Sequence, residues 1–161
     1  MRKLVFVLLV LVAFSPALFA QKVGIEAGYS FAHLGDGGTT NAQGFEVQPM
    51  FYFGKHFAAI ADFSGHYADG GHLYSYLFGP AYVIPVGKKA EVNVHYLFGA
   101  ATAGNGGSES AFAMAPGAAL DFKVAKNVWI RPAEFDWVIT HFEGEYQNKS
   151  FRYGAGLIFK F

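Results

Sequence analysis

The chain has 161 residues, twelve Lys and Arg against twelve Asp and Glu, no cysteine, and an abundance of Phe (18), Tyr (9) and Gly (20). Zero net charge removes the electrostatic footprint of a nucleic-acid binder, and the lack of cysteine excludes both a disulfide framework and lipid anchoring on a thiol. One domain is expected at this length.

Residues 1–20 read as a leader: Arg2 and Lys3, an apolar run from Leu4 to Phe14, then Ser15 to Ala20. Cleavage is expected after Ala20, with Leu18 a bulky residue three positions before the cut. Downstream, no stretch reaches the ~20 apolar residues of a membrane helix. The chain is expected to be exported, and not to cross a membrane by helices.

From residue 22 onward the apolar residues recur with period two, the mark of strands with two unlike faces. Val23, Ile25, Ala27, Tyr29 and Phe31 alternate with Lys22, Gly24, Glu26, Gly28 and Ser30. Phe45, Val47, Pro49, Phe51 and Phe53 oppose Gly44, Glu46, Gln48, Met50 and Tyr52. In Phe57 to Tyr67 the second face holds Ile60, Asp62, Ser64 and His66. Tyr74 to Tyr82 follows, then Ala90 to Ala100 with Glu91, Asn93 and His95 on the second face, then Phe112 to Phe122 with Gly117 and Asp121. The seventh segment slips by one: Arg131 is followed by Glu134 and Asp136 on its own face only if a residue is skipped, so a β-bulge is predicted at Pro132-Ala133. Phe151 to Phe161 closes the series, with Arg152, Gly154, Gly156, Ile158 and Lys160 on the second face. The connections at 54–56, 85–89 and 125–127 are tight turns. Those at 33–42, 68–72, 103–110 and 143–149 are expected to be mostly longer loops, rich in Gly, Asn, Asp or Ser.

This pattern predicts an all-β fold, an eight-stranded antiparallel up-and-down transmembrane β-barrel. The alternative is a soluble secreted barrel with the apolar face inward. Against it, the second face is built largely from glycine and small residues and carries few charges, which suits a narrow interior better than a wetted exterior. Bulky aromatics also gather near both strand ends: Tyr29, Tyr67, Tyr74, Trp137 and Tyr153 at the loop end, and Phe53, Phe57, Tyr82, Phe122, Trp129 and Phe161 at the turn end. Such belts match the girdles of a membrane barrel.

The ending Arg152-Tyr153-Gly154-Ala155-Gly156-Leu157-Ile158-Phe159-Lys160-Phe161 resembles the terminal strand of bacterial outer-membrane proteins, and Ile130 to Trp137 is similar to the penultimate strand of small OmpA-like barrels. The resemblance implies an outer-membrane location and contact with outer-membrane lipid. It also implies that Tyr153, Phe159 and Phe161 carry the signal read by the barrel-assembly machinery. Nothing follows Phe161, so the peptidoglycan-binding domain of full-length OmpA is not expected. The chain is expected to be a monomer, without cofactor or metal.

The inward face gathers Glu26, Glu46, Glu91, Arg131, Glu134 and Arg152, and the expectation is that the two arginines pair with the four glutamates. Such a network is either the gate of a narrow ion or water path, or a fixed polar plug; the small bore of eight strands favours the plug. A lipid-modifying enzyme would need a nucleophile, base and orienting group near the rim. Ser64, His66, Asp69, Ser75 and His141 are present but form no recognisable triad motif, so no enzymatic activity is expected. Surface adhesion is a weaker alternative, because the loops present little area.

Overall fold

A computed structural model describes residues 22–35, 40–68, 70–104, 108–142 and 145–161. The leader expected at 1–20 lies outside the described residues. Eight strands follow in order: β1 (Lys22–Leu34), β2 (Thr40–Phe53), β3 (Phe57–Ala68), β4 (Gly71–Val86), β5 (Ala90–Gly104), β6 (Ser108–Lys123), β7 (Val128–Phe142) and β8 (Glu145–Lys160). Each pairs antiparallel with the next, and β8 returns to pair with β1, so the sheet closes. Ile25 faces Phe159 and Gly28 faces Gly156 across that seam. Closure removes both free edges, so the strands hydrogen-bond to one another all the way round the wall.

The alternation places the faces as the sequence predicts. Large apolar side chains stand exposed on the outside: Tyr29, Phe45, Phe63, Tyr76, Phe78, Tyr96, Phe135 and Phe159 are each between 44% and 53% accessible. Inside, Glu26, Glu46, Asp62, Asp121 and Asp136 are fully buried. A soluble barrel has the opposite chemistry. This one turns its oil outward, as a barrel solvated by lipid must.

The predicted bulge is present. Arg131 sits opposite Gly156 and Glu134 opposite Gly154, so three residues of β7 span two of β8. The same extra residue offsets the β6 ladder between Leu120 and Phe122.

Two expectations are corrected, and a second irregularity joins the predicted one. The connections opposite the tight turns are not long loops. β3 ends at Ala68 and β4 starts at Gly71, while β5 runs to Gly104 and β6 begins at Ser108. Polar residues at these ends pair across the ladder instead of forming loops: His33 Nδ1 and Asn41 Oδ1 lie 2.7 Å apart, and the hydroxyls of Thr102 and Ser110 2.9 Å apart. A tilted strand needs about 9–11 residues to cross a bilayer; β4, β6 and β8 have 16 each, so the wall continues past the aromatic belt. A second irregularity, between Val138 and Thr140, gives β8 an extra residue near Asn148, whose carbonyl accepts the Trp137 indole N–H at 2.6 Å. Finally, Trp129 does not belong to the outer belt. It shares the face of Arg131 and packs against the buried interior.

Glycine serves the tight turns directly. Gly54 and Gly87 have φ of 72° and 75°, a conformation that side-chain-bearing residues resist.

Candidate functional site

The interior is divided lengthwise. Leu77, Ala81 and Val83 from β4, Leu97 and Ala101 from β5, and Ala113 and Ala115 from β6 make an apolar half with Ile60 and Met50. Tyr52, Ala58 and Ile158 extend it onto β2, β3 and β8. Most of the inward charge comes from the remaining strands, where the bulge turns Arg131, Glu134 and Asp136 inward together, but β6 supplies Asp121 and β5 supplies Glu91.

Two guanidiniums organise the polar half. Arg131 directs Nε and Nη2 at the two oxygens of Asp121, at 2.7 and 3.0 Å. Its Nη1 donates to Gln48 Oε1 at 2.7 Å and to Glu134 Oε2 at 2.6 Å. Arg152 grips Asp62 through both Nη atoms, at 3.0 and 2.7 Å, reaches Asp136 through Nε at 2.8 Å, and donates to the Ser64 hydroxyl at 2.9 Å. Gln48 joins the two clusters, its amide donating to Asp62 at 2.9 Å and to Glu134 at 2.7 Å. His95 Nε2 adds a 2.6 Å contact to Asp136 Oδ1. The network therefore ties β2 and β3 across the bore to β6, β7 and β8.

The expected partnership of Arg131 and Arg152 with four glutamates is corrected in detail. Glu134 is a partner of Arg131, and Glu46 lies 3.8 Å from Arg152 Nε without a hydrogen bond. Glu26 reaches no protein donor. Glu91 belongs elsewhere: it pairs with Lys160, whose ammonium sits 3.9 Å from the Trp129 ring centroid and 4.8 Å from that of Tyr52. That assembly occupies the turn-end mouth of the barrel. Asp62, Asp121, Asp136 and Gln48 are the partners that sequence reasoning did not assign. Register carries part of the missing signal, since Asp136 and Arg152 are directly opposed on β7 and β8. Tyr153, Phe159 and Phe161 all project outward and are exposed.

His95 Nε2, Glu134 Oε1 and Asp136 Oδ1 lie within 4.8 Å of one another, close enough to share a metal ion. Each is already engaged, however: the Glu134 oxygen accepts from Gln48, and the Asp136 oxygen meets the imidazole. Of the residues considered for catalysis, Ser64 is held by Arg152 and His66 Nε2 lies 3.0 Å from the Ser30 hydroxyl. Ser30 and His66 are buried, so this pair meets neither lipid nor water outside. Asp69 lies outside the described residues.

By sequence, no protein-family model matches the chain, and no curated protein does. By structure it is similar to Ail, the attachment invasion locus protein of Yersinia pestis, at 18% identity over 88% of this chain and 99% of that chain, with a TM-score of 0.61. Neisserial surface protein A is similar at 16% identity over 88% and 97% of the two chains, TM-score 0.67. The N-terminal β-barrel domain of Pseudomonas aeruginosa OprF is similar at 14% identity over 87% and 97%, TM-score 0.58. The chain has the fold of these small eight-stranded outer-membrane barrels.

Proposed function

We propose that the chain is an integral protein of the bacterial outer membrane whose barrel is structural and sealed by its own interior. The observation that carries this reading is the pair of buried guanidiniums tethered across the bore, with their partners drawn from β2, β3, β6 and β7. A solute would have to break several charge-assisted hydrogen bonds to pass. The apolar exterior supports lipid as the surrounding medium. The outward Tyr153, Phe159 and Phe161 support the barrel-assembly machinery as a partner during insertion, with the leader at 1–20 as the export signal and a monomer as the inserted form. The reading is non-enzymatic, because Ser64 and His66 are committed to other partners.

The sulfated ligand of the Ail structure is not carried over. By sequence, the segments opposite the tight turns carry Asp36, Asp69, Glu109, Glu143 and Glu145 against Lys149, a charge balance that disfavours sulfate.

The test is conductance in planar bilayers with the purified protein. The sealed barrel is expected to give no discrete current steps. Steady steps in the wild type would overturn the seal in favour of a narrow pore, with Arg131 as its gate and a higher conductance in Arg131→Ala.

A further inference from the structure

Charge in the polar half of the lumen does not balance. Among the described residues, Glu26, Glu46, Asp62, Asp121, Glu134 and Asp136 are buried there, against the guanidiniums of Arg131 and Arg152. Those guanidiniums have nothing left to give. Arg152 directs Nε at Asp136, Nη1 at Asp62 and Ser64, and Nη2 at Asp62 and Asp136, which accounts for all five of its N–H groups. Arg131 is equally occupied by Asp121, Gln48, Glu134 and the Met50 sulfur. Both amide hydrogens of Gln48 are taken, and the Nε2 atoms of His66 and His95 face Ser30 and Asp136.

Among the described residues, what remains is a pair of carboxyls, together with the side-chain amide of Asn93 and the Nδ1 atoms of His66 and His95. All four oxygens of Glu26 and Glu46 lack a protein donor, and both residues are 0% exposed. They are diagonal neighbours on one face, since Glu26 opposes Gln48 and Gly28 opposes Glu46 between β1 and β2. That places their Cβ atoms roughly 7 Å apart, within reach of two long side chains. Both lean on the glycine wall of β8. A Cβ on Gly156 would fall on a Glu26 oxygen, and one on Gly154 on a Glu46 oxygen. The backbone N–H groups of that wall belong to the ladder, so the glycines supply room without supplying donors.

We propose that Glu26 and Glu46 bind a hard divalent cation of the calcium class inside the barrel. Carboxylate oxygens are the ligands such an ion takes, at about 2.3–2.6 Å, with water completing a flexible shell. An isolated buried carboxylate is costly, and an ion of charge two offsets both at once. The neighbouring acids Asp62 and Glu134 add attraction that the arginines only partly cancel. Because the site is enclosed, the ion is captured as the barrel closes and is then slow to leave.

The test uses protein from the full chain, purified from membranes in detergent with calcium and then washed with a chelator. Elemental analysis of the folded fraction is expected to find about one calcium per chain. The double variant Glu26→Gln/Glu46→Gln is expected to fold and to carry none. Metal-free wild-type protein would overturn the proposal, assigning the balance to protons and water. Undiminished calcium in the double variant would also overturn it, by placing the ion elsewhere, for example on the acidic outer rim. Should the double variant fail to fold, wild-type protein refolded from denaturant in calcium or in chelator decides: a higher unfolding temperature after refolding in calcium supports the site, and equal values overturn it.

Discussion

Arg152 shows how much of this barrel depends on single side chains. Its guanidinium satisfies Asp62 on β3 and Asp136 on β7 at once. Replacing it with methionine keeps most of the volume and strands two buried carboxylates, a change of the kind that costs about 3–5 kcal/mol. Arg152→Met is therefore expected to lower the denaturant midpoint markedly, as read by the folded band on an unheated SDS gel. Lys160→Met should cost less, because Glu91 sits at the mouth, where water can solvate it once the ammonium is gone. Equal losses in the two variants would contradict this ranking. The tryptophans give a second residue-scale contrast. In single-tryptophan variants in lipid bilayers, brominated acyl chains are expected to quench Trp137, which is 48% exposed on the outer wall. They should leave Trp129, stacked beneath Lys160 inside the mouth, nearly untouched.

At the scale of the strand, the bulge in β7 decides which way its charges point. Deleting Ala133 leaves Arg131 and Glu134 two residues apart, so the ladder becomes regular and Arg131, Glu134 and Asp136 keep their inward face; deleting Phe135 instead makes Glu134 and Asp136 adjacent and sends one of the two carboxylates into lipid. The Phe135 deletion is expected to abolish the heat-sensitive gel shift of the folded barrel, whereas the Ala133 deletion and Ala133→Gly keep it. This bulge was legible because Arg131, Glu134 and Asp136 break an otherwise strict alternation of apolar and polar residues. The irregularity near Asn148 was not, because residues 145–150 are polar on both faces and leave no alternation to interrupt. The same polarity disguised strand ends as loops. Trp129 was misplaced because an aromatic at a strand end suits a belt and a mouth equally; only its shared phase with Arg131 separates them. The partners of the arginines were hidden for another reason. Strand tilt sets which residues share a level across the bore, and alternation along a strand carries no record of tilt.

For the molecule as a whole, the charged interior and the apolar exterior make one object: a wall that needs lipid outside and its own ions inside. The lengthwise division of that interior also has a consequence in time. The apolar half comes mainly from the middle of the chain, β4 to β6, whose hairpins meet through local contacts. The charged half links β2 and β3 to β7 and β8 and takes in Asp121 of β6, with Arg152 bonded to a residue 90 positions earlier and Arg131 to one 83 earlier. Contacts of such separation are entropically the most expensive to form and belong to the end of assembly. The arginines then act as a clasp fastened when the first and last strands meet, and a clasp of that kind chiefly governs how fast the ring reopens.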